Sequence, residues 1–323
     1  MTTALVLGVN GQDGTFLSRS LLARGCRVIG VGRQRAARFD VSSHAFAYHQ
    51  IDLRDLDRLR ELLEATGPDR IFHVAAVHMS AGAIYEPVFG EMLQVNVSSV
   101  HAVLEHLRAS GRNARFIYAS SAKVFGDPYP ARIDEGTPTK SSCLYSITKN
   151  AAYSLIDHYR RHHGIQGSVV YLFNHESELR PAHYFFPKLL SCLVSAKHGL
   201  SARTPLATLE FHCDWGSAEE YMDFVVDMLE KAPGEDFVLA TGTCTYARDF
   251  VEALFAKHGL DYRQFVEERT DAAGDGGGSY TVDLTKLRSL LGRVPKVEIG
   301  EVVDRMLGLL SSSHTPSSLP KTP

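Results

Sequence analysis

Ala4-Leu-Val-Leu-Gly8-Val-Asn-Gly11-Gln-Asp-Gly14 decides the fold. Ala4–Gly8 is an unbroken apolar run, the pattern of a strand buried on both faces of a parallel sheet. Thr15–Arg24 follows with Leu17, Leu21 and Leu22 on one helical face, and Gly25 stops that helix. Between strand and helix stand glycines in the spacing Gly-x-x-Gly-x-x-Gly. A glycine is needed where the backbone turns sharply with positive φ. Another lets the main chain approach a pyrophosphate, and the third lets helix and strand pack closely. The start of the helix then offers free N–H groups to phosphate. Gly8, Gly11, Gln12, Asp13 and Gly14 are therefore read as cofactor-binding. A plain βα turn is the competing reading, and the strand–turn–helix setting at the N-terminus outweighs it.

Working outward, the same alternation continues. Strands are expected at Arg27–Val31, Arg70–Ala76, Arg115–Ala119 and Ser168–Phe173. Helices are expected at Asp57–Glu64, at Tyr145–His163 and at Ser98–Ala109, the last capped by Ser98 with Val100, Val103, Leu104 and Leu107 inside. Strands alternating with helices imply right-handed βαβ units and an α/β, doubly wound parallel sheet of Rossmann type. After about residue 175 the alternation becomes irregular, with sheet and helix pieces at Lys231–Leu239 and Leu284–Leu291. Ala273–Ser279 reads as a Gly-rich loop, and Ser311–Pro323, with ten Ser, Thr or Pro in thirteen residues, as a flexible tail.

Composition narrows the function. At roughly 100–200 residues per domain, 323 residues make one large or two coupled domains. With 34 Lys and Arg against 37 Asp and Glu, the net charge of −3 argues against nucleic acid or a membrane surface as partner. The five cysteines, at 26, 143, 192, 213 and 244, include no Cys-x-x-Cys pair, which fits a reducing compartment without disulfides or a zinc module. No apolar run approaches the ~20 residues of a membrane helix, and no basic leader opens the chain, so a soluble cytoplasmic protein is expected. There are fifteen histidines in no metal-ligand spacing; His49, His73, His78 and His162-His163 are read as surface or capping residues, and no metal is expected.

Two further segments carry chemistry. The second strand ends in Gly32-Arg33-Gln34-Arg35, with no acid before Asp40 to hold a ribose 2′-OH. Arg33 and Arg35 can pair with a 2′-phosphate instead, which favours NADP(H), with NAD(H) as the alternative. Asp52 and Leu53 are placed at the adenine, Ala75 and Ala76 along the phosphates and nicotinamide ribose. Tyr145-Ser-Ile-Thr-Lys149 sets Tyr and Lys four residues apart on one helix face. A neighbouring ammonium lowers a phenol's pKa, so Tyr145 can take a sugar hydroxyl proton while hydride leaves the same carbon. Lys149 also holds the nicotinamide ribose, and Ser121 donates to the same oxygen.

These features together resemble an extended short-chain dehydrogenase/reductase acting on nucleotide sugars, and within it the GDP-mannose 4,6-dehydratase family. Leu7-Gly-Val-Asn-Gly-Gln-Asp-Gly14, Leu172-Phe-Asn-His-Glu-Ser177, Asp214-Trp-Gly216 with Tyr221, Ala240-Thr-Gly242 and Arg248-Asp-Phe250 carry the resemblance. It implies a cofactor domain over 1–175, to which some later segments return, and a mainly nucleotide-sugar-binding domain over 176–310. It also implies a GDP-linked sugar substrate contacted by Ser121, Lys123, Asn174, Glu176 and Arg248, and a homodimer through Ser98–Ala109 and Tyr145–His163.

One departure bears on the reaction. Where the family has Ser-Thr-x-Glu-x-Tyr-Gly, this chain has Ser120-Ser-Ala-Lys123-Val-Phe-Gly126. That Glu is the family's base for the C5 proton. A lysine is normally charged at neutral pH and cannot accept a proton. The expected activity is therefore that of an NADP-dependent epimerase or C4 oxidoreductase, with Ser121, Tyr145, Lys149 and Lys123 at its centre. A 4,6-dehydratase is the alternative, and a non-catalytic cofactor-binding subunit the alternative of another class.

Overall fold

The N-terminal apolar run forms β1 (Thr3–Leu7), fully buried from Ala4 to Leu7. The architecture comes from a computed structural model that describes residues 1–38, 44–79, 84–200, 202–268 and 278–313. α1 (Gln12–Ala23) leads to β2 (Arg27–Gly32), and Gly25 turns the chain between them at a φ of 75°. β3 (Phe46–Gln50), α2 (Leu56–Thr66) and β4 (Arg70–His73) follow. Next comes a nearly continuous helical stretch: α3 (Phe89–Leu93), a π turn over Gln94–Ser98, and α4 (Ser99–Ser110). β5 (Arg115–Ser121), a 3₁₀ turn at Ala122–Phe125 and the short β6 (Arg132–Ile133) precede α5 (Leu144–His163) and β7 (Gln166–Leu172).

The second half contributes β8 (Asn174–Glu176), α6 (Phe185–Lys197), β9 (Thr204–Leu206), β10 (His212–Ser217) and α7 (Ala218–Lys231). β11 (Phe237–Leu239), β12 (Cys244–Tyr246), α8 (Ala247–Ala256), β13 (Val266–Glu268), β14 (Thr281–Val282), α9 (Thr285–Leu291) and α10 (Ile299–Ser313) complete it. Seven strands pair in the order β3-β2-β1-β4-β5-β7-β11, every pair parallel. The order reverses between β1 and β4, and such a switch point opens a crevice at the carboxyl ends of the strands. α7, β11 and α9 belong to the core around this sheet, although they lie late in the chain. A second core gathers α6, α8 and α10 around Phe186, Trp215, Phe255 and Val302, beside the three-stranded sheet β12-β10-β8.

Several elements depart from the sequence reading. β3 has no unbroken apolar run; it is an edge strand, only partly buried, and its identity comes from pairing with β2. β4 ends at His73, before Ala76. Ser98 does not cap: at φ −65° and ψ −37° it continues the helix through the π turn, and its side chain makes no capping bond. The segment from Lys231 to Leu239 splits between the end of α7 and β11. Ser311–Ser313 extend α10, while the rest of the expected tail, and 273–277 of the Gly-rich stretch, lie outside the described residues. Among the described residues no helix is long and apolar enough to cross a membrane.

Phe72 lies in β4 at the centre of the sheet, with 0% exposure. Phe72→Ala is expected to lower the unfolding free energy by about 3–5 kcal/mol, measured by urea denaturation. A loss below about 1 kcal/mol would mean that this face of the sheet repacks freely.

Candidate active site

The glycine turn sits at the carboxyl end of β1. Gly8 has a φ of 97°, and a Cβ there would stand 2.7 Å from the Ala75 backbone. A side chain is thus excluded both by torsion and by the approach of the segment after β4. A Cβ on Gly14 would collide with the Gly8 carbonyl, so the third glycine lets α1 start tight against β1. Gly11 is the N-cap of α1 and supplies no capping side chain, which leaves the first-turn N–H groups open to a ligand. This is a cradle that a pyrophosphate fits.

Ser121 ends β5, and Tyr145 and Lys149 lie in the first turns of α5. Lys149 is 1% exposed and donates through Nζ to the Ala119 carbonyl at 2.7 Å. Its ammonium stands 4.4 Å from the Tyr118 ring centroid and 5.5 Å from that of Tyr145. Burial pushes Lys149 down to about 7, against the opposing pull of the Asp13 carboxylate. Burial also pushes the Tyr145 phenol up, with Tyr85 and Asp13 adding to the rise and a hydrogen bond to Ser121 opposing it. The spacing of Tyr145 and Lys149 predicts a lowered phenol; burial raises it instead.

His78 was not legible as a site residue. It lies against Tyr145, ring centroids 4.3 Å apart and edge to face, while Tyr85 stacks 6.2 Å from the same phenol. Its Nδ1 is buried without a hydrogen-bond partner among the described residues. Burial, with the charges of Lys123, Lys149 and Arg180, holds His78 down at about 4, so it is neutral at pH 7. His73 is fully buried and bonds Ser99 at 2.7 Å, so neither histidine is a surface residue. Asn96, in the π turn, joins the pieces: its amide accepts from the Val77 N–H at 2.9 Å and donates to Thr148 of α5 at 3.0 Å.

A charged network ties the glycine turn to β8. Asp13 meets His175 Nε2 at 3.0 Å, and His175 Nδ1 lies 2.7 Å from the Phe173 carbonyl. Burial pushes Asp13 up, but His175 and Arg180 overcome it and hold the carboxyl at about 2. Burial lowers His175, and Asp13 more than reverses it. Gln12 donates to the His175 carbonyl at 3.2 Å and accepts from Ser177 at 2.7 Å. Glu176, 5% exposed, has both oxygens on Arg180 at 2.9 and 3.0 Å. Asn174 is exposed and donates to Cys213 Sγ at 3.1 Å.

The remaining expected residues spread further. Arg33 and Arg35 are exposed in the turn after β2, with Arg33 3.4 Å from Glu91. Asp52 is clasped by Arg54 and Leu53 is buried. Ala75 packs on Gly8, and Ala76 is exposed. Arg248 lies in α8 between Glu210 and Glu268, with Nη1 2.9 Å from the latter. Asp214 accepts from Thr241 and Gly242, at 2.9 and 2.7 Å from their N–H groups, and so fixes the loop after β11. Among the described residues no cluster of three His, Cys, Asp or Glu could hold a metal.

Residues 5–306 match the sequence profile of the family described as GDP-mannose 4,6 dehydratase. The chain belongs to that family. It is 33% identical over 281 residues to GDP-mannose 4,6-dehydratase sdnI of Sordaria araneosa, a match covering 85% of this chain but 51% of that protein. It is 28% identical to GDP-mannose 4,6 dehydratase 2 of Arabidopsis thaliana, covering 94% and 85% of the two chains. Against GDP-mannose 4,6-dehydratase of Vibrio cholerae it is 30% identical, covering 77% and 70%. Two solved structures share the fold. DesIV, a dTDP-glucose 4,6-dehydratase from Streptomyces venezuelae with NAD and TYD bound, has a TM-score of 0.83 at 19% identity, covering 96% of this chain and 97% of its own. UDP-glucose 4-epimerase from Thermotoga maritima, with UDP-glucose, has a TM-score of 0.80 at 18% identity, covering 97% and 99%.

Within this GDP-mannose 4,6-dehydratase family chain, Lys123 stands in the 3₁₀ turn after β5, its N–H 3.3 Å from the Ser121 hydroxyl. That turn, Ala122-Lys-Val-Phe125, holds no carboxylate.

The Asp13–His175 pair gives a pH signature. Asp13 is held near 2 against an ordinary 3.8, so its contribution is present above about pH 4 and lost as the pH falls toward 2. His175 is raised above its ordinary 6.5, so its contribution is present below that value and lost as the pH rises through the raised one. Asp13→Asn is expected to destabilise the fold by about 1–3 kcal/mol between roughly pH 4 and 6.5, and by less on either side. Chemical denaturation at a series of pH values checks this.

Proposed function

We propose that the chain is an NADP-dependent nucleotide-sugar C4 oxidoreductase of the epimerase type, acting on a GDP-linked hexose. One observation carries the reading: Ser121, Tyr145 and Lys149 converge at the end of β5, beside a turn that offers Lys123 in place of a carboxylate. The glycine cradle, the open start of α1 and the basic turn at Arg33 and Arg35 support NADP(H), with NAD(H) as the alternative. When bound, the oxidised nicotinamide accepts a hydride. Tyr145, ionised once the cationic oxidised nicotinamide is bound, takes the proton of the C4 hydroxyl, and Ser121 donates a hydrogen bond to the same oxygen. Lys149, fixed on the Ala119 carbonyl and pushed down to about 7, lies beside the phenol ring and when protonated favours the phenolate. The resulting 4-keto sugar is then reduced again, on its other face. Lys123 contacts the sugar or a phosphate. The GDP linkage rests on the names of the relatives, and Asn174, Glu176 and Arg248 are proposed at the substrate side.

A second reading, a 4,6-dehydratase, is favoured by His78. A neutral imidazole with an unpaired Nδ1 beside Tyr145 could serve as the base that Lys123 does not supply. The two readings separate when the enzyme turns over GDP-mannose and other nucleotide sugars in D₂O, with products read by NMR. The C4 reading expects no deuterium at C5 or C6; a 6-deoxy-4-keto product, or deuterium at either carbon, favours the dehydratase.

Tyr145→Phe is expected to reduce turnover by about 10²–10⁴-fold and leave cofactor affinity nearly unchanged, because only the hydroxyl is removed. Retention of most activity would assign the proton transfer to another group. A homodimer through α4 and α5 is also proposed, on the resemblance and on the half-exposed Ile147 of α5. Light scattering at micromolar concentration is expected to give twice the chain mass.

A further inference from the structure

Asn10 stands inside the glycine turn, and its side chain is hydrogen-bonded on both atoms of its amide. It reaches across to the turn that follows β2. Its Nδ2 donates to Gln34 Oε1 at 2.9 Å and to the Ala36 carbonyl at 3.0 Å, and its Oδ1 accepts from the Arg38 N–H at 2.8 Å. One amide therefore holds three residues of the segment that carries Arg33 and Arg35. Asn10 is 9% exposed, so these bonds are shielded from water.

A second ring of contacts secures the same turn. Tyr48 of β3 donates to the Gln34 carbonyl at 2.6 Å and lies 3.3 Å from Asn10 Nδ2. Gln50 donates to the Arg33 carbonyl at 3.2 Å. Space for the arrangement comes from Gly32, where a Cβ would stand 2.9 Å from the Tyr48 hydroxyl and 3.2 Å from Asn10 Nδ2. Arg33 and Arg35 are themselves exposed, and long exposed side chains lose much rotamer freedom on meeting an anion. Fixing the backbone beneath them reduces what binding must order.

We propose that Asn10 is the positioning residue for cofactor choice: it shapes the Arg33–Arg38 turn so that its guanidinium groups meet the 2′-phosphate of NADP(H). This rests on the NADP reading above. The cradle for the pyrophosphate is built from backbone, and Asn10 contributes no side-chain contact to it. Loss of the clamp should therefore affect the phosphate that distinguishes the two cofactors and spare what they share. Among the described residues no non-glycine has positive φ, so alanine can take the Asn10 backbone without strain.

The test measures NADP⁺ and NAD⁺ affinities by calorimetry in wild type, Asn10→Ala and Tyr48→Phe, together with trypsin cleavage after Arg33, Arg35 and Arg38. Asn10→Ala is expected to weaken NADP⁺ about tenfold, to leave NAD⁺ within about twofold, and to speed cleavage at those arginines. Tyr48→Phe removes the bond to the Gln34 carbonyl and the one from Asn10 Nδ2 but leaves every glycine-turn residue in place, and a smaller loss confined to NADP⁺ is expected. Equal weakening of both cofactors by Asn10→Ala would show a damaged glycine turn and overturn the proposal. Unchanged affinities with unchanged cleavage would overturn it as well. A wild type that binds NAD⁺ as tightly as NADP⁺ would overturn the NADP reading itself, and with it the assigned role in cofactor choice; cleavage rates would still report whether Asn10 holds the turn.

Discussion

Asp13 and His175 are 162 residues apart in sequence and 3.0 Å apart in the fold. Their pairing is the constraint on which the site's architecture depends. His175 places Nδ1 on the Phe173 carbonyl, so its Nε2 is left to face the Asp13 carboxylate. Burial penalises the charged form of each group, and each raises the other's preference for that form. Around them the contacts follow in sequence: Gln12 bridges to the His175 carbonyl and to Ser177, and Arg180 closes on Glu176. These contacts tie the glycine turn to β8 as one floor.

That floor explains why part of the site could be read from the sequence and part could not. Glycine spacing, apolar strands and a Tyr–Lys pair four residues apart are local patterns with direct physical causes, and they located β1, α1, β5 and α5. The Gln-Asp inside the turn and the His-Glu after β7 were visible as motifs, but their mutual contact was not, because nothing local encodes a meeting across half the chain. β3 escaped for a related reason: an edge strand with one wet side needs no apolar run. Asn96 and His78 escaped because their positions depend on a π turn and on the path of the chain after β4. A lone histidine in a sequence looks the same whether it is solvated or pressed against a phenol.

The electrostatics of the centre also differ from the simple picture of a lysine easing a tyrosine's ionisation. Lys149 and Tyr145 are both enclosed, and enclosure penalises the charged form of each. The ammonium is drawn down toward neutrality and the phenol is driven up, so the neutral forms of both groups are favoured in the protein alone. The turn after β5 carries Lys123 and no carboxylate, and a neutral imidazole, His78, lies against the Tyr145 phenol.

The separation of Asp13 from His175 also sets an order of events during synthesis. At about 5–20 residues per second, His175 leaves the ribosome roughly 8–30 seconds after Asp13. β1, β2 and β4 can pair within that interval, since their partners are all made early. The turn between β1 and α1 must wait with an unpaired carboxylate until β8 arrives. A nascent chain of this protein therefore has a formed half-sheet well before it has a finished cofactor floor, and β11 at the far edge comes later still.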